Sequence, residues 1–194
     1  MQNAMTLDLA NETLPLLGIA AWSGTGKTTL LEALLPRLAE RGVRVAVIKH
    51  AHHGFDVDQP GKDSHRLREA GAAPMLVASK ARFALMMETP DRGEADLAML
   101  IEQVRPLQPD LVLVEGFKAW PLPKLELFRP VLEKPLLARD DEWVHGVASD
   151  EPLDLPADVE ALDLNDLVAL TDYIAAWPGQ WSRRRSPRGS GVNS

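Results

Sequence analysis

The chain of 194 residues contains no cysteine, which excludes a disulfide framework and any thiolate metal site. It also lacks an excess of positive charge. A formal net charge of −7 argues against a general nucleic-acid binder. Met1 to Thr13 carry neither lysine nor arginine and no long apolar segment, so no secretory signal is read there. No run approaches the roughly eighteen apolar residues of a membrane span, and no internal repeat is visible. The expectation is a cytoplasmic protein with neither membrane nor nucleic acid as partner. Charge is unevenly spread, since residues 177–194 hold Arg183, Arg184, Arg185 and Arg188 and no acid. Residues 178–194 have the make-up of a disordered basic tail, and residues 1–13 read as a flexible N-terminus. Residues 14–177 are expected to form one domain, large enough to bury about 70% of its unfolded surface.

What the chain does hold is concentrated in residues 21–29. Ala21, Trp22, Ser23, Gly24, Thr25, Gly26, Lys27, Thr28 and Thr29 match the phosphate-binding loop G-x-x-x-x-G-K-S/T, with Ala21 at the first glycine. Gly24 and Gly26 let the backbone wrap so that successive N–H groups face an anion, which a Cβ would obstruct. The following helix adds its unpaired N-terminal amides and the positive end of its dipole. Lys27 supplies a mobile point charge for the outer phosphates, and the Thr28 hydroxyl is a ligand for Mg²⁺. The flanks agree: Leu14 to Ala20 reads as a buried strand, and Leu30, Leu31, Leu34, Leu35 and Leu38 recur at helical spacing. That helix should stop at Gly42, and Pro36 should kink or divide it.

Further along, Val43 to Lys49 reads as a strand, Asp63 to Gly71 as a helix capped by Asp63 or Ser64, and residues 74–79 and 82–88 as two strands. A helix is expected from Glu94 to Arg105. Asp110 to Phe117 contains four consecutive apolar residues, as in a strand buried on both faces of a parallel sheet. It ends in Glu115, an acid at the carboxyl edge where ligands collect in open α/β folds. With the loop at 21–29, this is the arrangement of a Walker B acid, which orients Mg²⁺ or its waters. Lys124 to Phe128, Pro135 to Ala138 and Trp143 to Ser149 are further strand candidates, and Asp163 to Trp177 reads as a helix capped by Asp163 or Asn165. The pattern predicts a three-layer P-loop NTPase fold, α/β, with a mostly parallel central sheet and helices on both faces.

A second constellation runs from Lys49 to His65. His50, His52, His53 and His65 with Asp56, Asp58 and Asp63 invite a metal reading, but their spacing fits no closed tetrahedral site. A nucleotide-sensing loop suits them better. Asp56 or Asp58 would stand in the outer shell of Mg²⁺, and Lys49, Lys62 and Arg66 would meet anionic oxygens. The plainer alternative is a polar surface loop.

The loop at 21–31, the segment from Val47 to Ala72 and the run Asp110 to Lys118 together closely resemble the molybdopterin-guanine dinucleotide biosynthesis adaptor protein B (MobB) family, across roughly residues 14–175. The resemblance implies a GTP-binding, weakly hydrolysing P-loop protein, a homodimer, assisting the guanylyltransferase that joins GMP to molybdopterin. It implies that Ser23, Gly24, Thr25, Gly26, Lys27, Thr28 and Thr29 hold the phosphates of GTP, and Thr28 and Glu115 the Mg²⁺. It also turns Lys49 to His65 toward the γ-phosphate or molybdopterin. Lys27, Asp56 and Asp58 are the candidate catalytic groups, with Lys49 a further nucleotide contact. No Asn/Thr-Lys-x-Asp motif is present to read guanine, so Ser149 and Asp150, after a late strand, are the candidate base pocket. No glutamine for water and no arginine finger is identifiable, and such an arginine is worth about three to five orders of magnitude. Slow hydrolysis is expected. The rival readings are a P-loop small-molecule kinase, whose arginine-dense lid is missing, and a GTP-driven metallochaperone using the histidines.

Overall fold

In the computed structural model, which describes residues 7–51, 55–89 and 95–190, the apolar run ahead of the loop becomes strand β1 (Leu16–Ala21), buried along its whole length. Then follow helix α1 (Lys27–Glu40), β2 (Val45–Lys49), α2 (Asp63–Glu69), β3 (Met75–Ala78), β4 (Phe83–Met86), α3 (Leu97–Val104), β5 (Leu111–Glu115), β6 (Lys124–Phe128), β7 (Val144–Ser149), β8 (Glu160–Asp163) and α4 (Leu167–Arg184). The chain forms two compact units, residues 1–50 with 97–194 and residues 51–96. The one domain expected over 14–177 is thus interrupted by an inserted unit.

The larger unit is built on a six-stranded sheet of order β2-β5-β1-β6-β7-β8, parallel throughout. From β1 the chain crosses over α1 to the β2 edge, then returns over α3 to β5. Right-handed crossovers in opposite directions put α1 and α3 on opposite faces, giving the layered α/β architecture that the sequence pattern predicts. On the α1 face, Leu17, Ile19, Leu113, Leu125 and Leu127 pack under Leu34 and Leu38 of α1 and Ile174 and Trp177 of α4. The order reverses at β1, so its carboxyl end is the switch point where a crevice opens.

Several local expectations change. Pro36 does not divide α1, because it deletes only its own N–H and the leucine face stays buried against the sheet. The run Pro135 to Ala138 is no strand; a 3₁₀ turn over Leu137–Arg139 replaces it. The reason is Glu126, fully buried in β6, whose carboxylate accepts the amides of Leu137 and Ala138, each at 2.9 Å. Strand β8, unforeseen, pairs with β7 at the sheet edge. Helix α4 is capped by Asp166, which accepts from Val168 and Ala169 N–H, rather than by Asp163 or Asn165. Helix α2 follows Lys62, with no side-chain cap from Asp63 or Ser64.

Residues 7–13 and 178–190 make more contacts than their composition suggests. α4 runs through Pro178 to Arg184, and Trp181 is buried with its indole N–H on the Glu12 carbonyl at 2.8 Å. The Arg184 guanidinium lies 5.1 Å from the Tyr173 ring and 4.8 Å from that of Trp177. Arg188 donates to the carbonyls of Ala138 and Asp141 at 2.8 and 3.2 Å. At the other end, Leu9 and Glu12 are buried, and Glu12 pairs with Arg105 at 2.9 Å. These contacts replace the disordered tail and flexible N-terminus over the described residues; residues 1–6 and 191–194 lie outside them.

In the smaller unit β3 and β4 pair antiparallel, Met75 opposite Met86. No helix among the described residues is long and apolar enough to cross a membrane.

Candidate functional site

The loop between β1 and α1 turns on two glycines in the left-handed region, Gly24 at φ +86° and Gly26 at φ +92°, a conformation costly for any residue with a Cβ. Thr25 between them is buried, its N–H and hydroxyl both donating to the Trp22 carbonyl at 3.3 and 2.7 Å. Thr25 therefore ties the loop inward, while Ser23, Gly24, Gly26, Thr28 and Thr29 stay exposed. Helix α1 has no side-chain cap and no acid in its first turn. Its first internal bond runs from Leu30 N–H to the Gly26 carbonyl at 3.0 Å. The amides of Lys27, Thr28 and Thr29 precede that bond and have no helical acceptor. An exposed turn of amides at a helix N-terminus is suited to an anion.

β5 places the acid beside it. Register sets Glu115 opposite Ile19 of β1 and Lys49 of β2. One Glu115 oxygen lies 3.0 Å from Lys27 Nζ and 3.6 Å from Lys49 Nζ, and Glu115 is 8% exposed. The sheet thus brings Lys27, Lys49 and Glu115 together at the mouth of the loop. Glu115 and the exposed Thr28 hydroxyl form a hard oxygen donor set, the chemistry Mg²⁺ takes rather than that of a softer metal. Behind the acid, Gly116 (φ +91°) approaches His50 closely: a Cβ there would stand 2.9 Å from the His50 carbonyl oxygen and Cβ.

The candidate base residues lie at the end of β7, Ser149 as its last residue and Asp150 just beyond. The Ser149 hydroxyl accepts from Glu151 N–H at 3.2 Å. Asp150 accepts from Arg129 at 2.5 Å through one oxygen, while its other oxygen is buried without a hydrogen-bond partner. Arg129 was not singled out by the sequence, yet it also donates Nε–H to the Thr25 carbonyl at 2.9 Å. Trp22 donates to the Pro135 carbonyl at 2.9 Å, and Lys118 Nζ sits 4.1 Å from the Trp22 ring centroid. Burial, reinforced by the charge of Lys27, lowers the Lys118 pKa against a weaker opposing pull from Glu126. Glu126 itself is pushed upward by burial, opposed by its two amide donors. Arg129 directly follows β6, at the carboxyl edge of the sheet, and nothing in its local sequence marks it as part of a site.

Asp56 and Asp58 belong to the smaller unit and have a use there. Arg68 reaches Asp56 at 2.8 Å, Asp58 at 3.1 Å and Glu88 at 2.8 Å. The Arg68 hydrogen bond holds Asp58 below the usual carboxylate range, and Asp58 with Glu88 holds the guanidinium above its own. They are therefore structural ion-pair partners in their own unit. The 49–65 segment is only partly visible: His52 and His53 fall outside the described residues, and the His50 ring packs 5.1 Å from that of Phe117. Among the described residues, no group of three or more His, Asp or Glu side chains is arranged to hold a metal ion.

The chain is similar to known proteins. A family model for molybdopterin guanine dinucleotide synthesis protein B, MobB, matches residues 16–150. The molybdopterin-guanine dinucleotide biosynthesis adapter protein of Escherichia coli (strain K12) is 52% identical over 171 residues, covering 87% of this chain and 97% of its own. The adapter protein of Haemophilus influenzae is 47% identical over 167 residues, covering 86% and 91%. A crystal structure of a molybdopterin-guanine biosynthesis protein B superposes with a TM-score of 0.66 at 26% identity, covering 84% of this chain and 99% of that one.

Proposed function

The chain belongs to the molybdopterin guanine dinucleotide synthesis protein B (MobB) family, and we propose that it is a GTP-binding, slowly hydrolysing adapter in molybdenum cofactor biosynthesis. It would assist the guanylyltransferase that converts molybdopterin to molybdopterin guanine dinucleotide. The observation that carries this reading is the exposed amide turn at Gly24 to Thr29 with Lys27 and Glu115 at its mouth, 3.0 Å apart. In the proposed complex the loop amides and Lys27 take the phosphates, exchanging the Lys27–Glu115 contact for one to phosphoryl oxygens. Thr28 and Glu115 hold Mg²⁺, which when bound neutralises charge on those oxygens. Lys49, on the same oxygen of Glu115, keeps that carboxylate in place as Lys27 leaves it. The polyphosphate then runs from the β5 side toward β7, where Ser149 and Asp150 meet the base.

Hydrolysis in such a site is positioning plus charge neutralisation. Arg129 is committed to Asp150 and the Thr25 carbonyl, so it is not poised as an arginine finger. Turnover by the protein alone should stay well below the ~10 s⁻¹ of a typical enzyme. Self-association fits the smaller unit, whose Leu76, Phe83, Leu85 and Met87 are each at least 45% exposed. A two-stranded sheet gains little stability alone, and exposed apolar groups mark contact surfaces. We assign homodimer formation to that hairpin.

Calorimetric titration with GTP and ATP in the presence of Mg²⁺ tests the reading. GTP should bind the wild type, and Lys27→Ala should weaken it at least about tenfold, the equivalent of 1.4 kcal/mol. A tenfold preference for ATP would overturn the base assignment.

A further inference from the structure

Two hydrogen bonds fasten the phosphate loop to the segment that follows β6. Arg129 holds the Thr25 carbonyl, and Pro135 accepts the Trp22 indole N–H at 2.9 Å. The Leu132 side chain lies 3.7 Å from where a Cβ on Gly24 would stand. The segment is itself pinned by the buried Glu126 through Leu137 and Ala138. Of the two hydrogen bonds, only that of Arg129 also reaches the base side of the crevice.

A guanidinium is a rigid fork of five donors. Here Nε is spent on Thr25 and Nη1 on Asp150, so one planar group joins two places far apart in the chain: the loop after β1 and the end of β7. The Thr25 carbonyl and the Gly26 N–H belong to one trans peptide and point opposite ways. Drawing the carbonyl toward Arg129 therefore turns the Gly26 amide away from it, and the setting of that amide depends on where Asp150 holds the guanidinium. Asp150 in turn has a second oxygen that is buried and lacks a partner, an arrangement that favours an incoming N–H donor. Guanine offers such donors at N1 and the 2-amino group; adenine offers an acceptor at N1 and no amino group at C2.

We propose that Arg129 is a positioning residue that couples the base-reading carboxylate of Asp150 to the phosphate loop, so that a donor-bearing base and the polyphosphate bind cooperatively. This rests on the reading that the site takes a guanine nucleotide. A base on Asp150 fixes the carboxylate, the carboxylate fixes the guanidinium, and the guanidinium fixes the Thr25–Gly26 peptide.

Inorganic triphosphate with Mg²⁺ is the probe, because it has no base. The proposal expects Asp150→Asn to weaken triphosphate about fivefold or more, the lower edge of ordinary coupling between sites, although that side chain reaches the phosphate loop only through Arg129. In the Arg129→Met background the same Asp150→Asn change should move triphosphate affinity less than twofold. Arg129→Lys holds one of the two partners but cannot span both, so it should behave like Arg129→Met and serves if that variant does not fold. Triphosphate affinity unmoved by Asp150→Asn, or equally reduced with and without Arg129, overturns the coupling. The GTP to ATP preference of the wild type is read separately, so a failed base assignment is distinguishable from a failed coupling.

Discussion

Two glycines at nearly the same backbone angle, Gly26 at φ +92° and Gly116 at φ +91°, separate stability from binding. Alanine at either pays the left-handed penalty of about 1–2 kcal/mol. At Gly26 nothing stands within 4 Å of the added Cβ, so the backbone cost is the whole cost to the fold. At Gly116 the Cβ would lie 2.9 Å from the His50 carbonyl oxygen and Cβ, inside any real contact. Those atoms are main chain or next to it, held by His50 N–H on the Glu115 carbonyl at 2.8 Å. Relief therefore requires β2 and β5 to shift, adding about 1–3 kcal/mol of overpacking. Gly26→Ala should lower stability by about 1–2 kcal/mol and Gly116→Ala by about 2–5 kcal/mol. Urea unfolding followed by tryptophan fluorescence, with slopes compared, reads both. Binding should rank the other way for Gly26→Ala: its methyl projects into the open mouth where the amides converge, so triphosphate affinity should fall at least about tenfold despite the modest loss of stability. Equal destabilisation by the two alanines, or full triphosphate affinity in Gly26→Ala, would refute the reasoning.

Trp181→Ala should cost about 3–5 kcal/mol by urea unfolding, since it empties a buried site and leaves the Glu12 carbonyl only its longer bond, from Arg185 at 3.3 Å; a solvated tail would give no change. His145 supplies a pH test. Burial, then the charge of Arg184, holds its pKa at about 4 from an ordinary 6.5; the Ser186 backbone opposes them, Arg188 adds a smaller push downward and Asp158 a smaller one upward. The unfolded chain therefore binds this proton first as pH falls. The His145 contribution to stability is complete above about pH 6.5, declines as pH drops, and is gone below about 4. Its Nε2 is buried without a partner, so His145→Phe should flatten the fall in urea midpoint between pH 7 and 5 relative to wild type.

The parts of the fold visible in the sequence are those whose cause is local. β1 and β5 are apolar runs buried on both faces, and the leucine spacing of α1 encodes its own buried stripe. β8 was invisible because Glu160, Ala161 and Asp163 are exposed at a sheet edge, where pairing needs no apolar run. Pro135 to Ala138 misled for the opposite reason. Its apolar residues are wanted in a core with Phe128 and Val147, but its amides are taken by Glu126 rather than a ladder. The basic tail misled because composition counts its arginines as solvated charge. Arg184 instead lies on two aromatic rings, and Arg188 on backbone carbonyls.

The candidate site divides along the same line. Lys27, Thr28 and the two glycines sit within one short motif, and Glu115 is marked by the strand it ends, so spacing alone exposes them. Arg129 is separated from Thr25 by 104 positions and from Asp150 by 21, and an arginine after a strand carries no label. Only the order β1-β6-β7 makes those three neighbours at one edge. Asp56 and Asp58 pair with Arg68 inside their own unit, a partnership that their spacing in the sequence does not announce. In a parallel sheet the chemistry that a motif starts is completed by whatever the neighbouring strands end in. The residues after β6 and β7 are therefore where base selectivity has to be sought once the usual guanine-reading motif is missing.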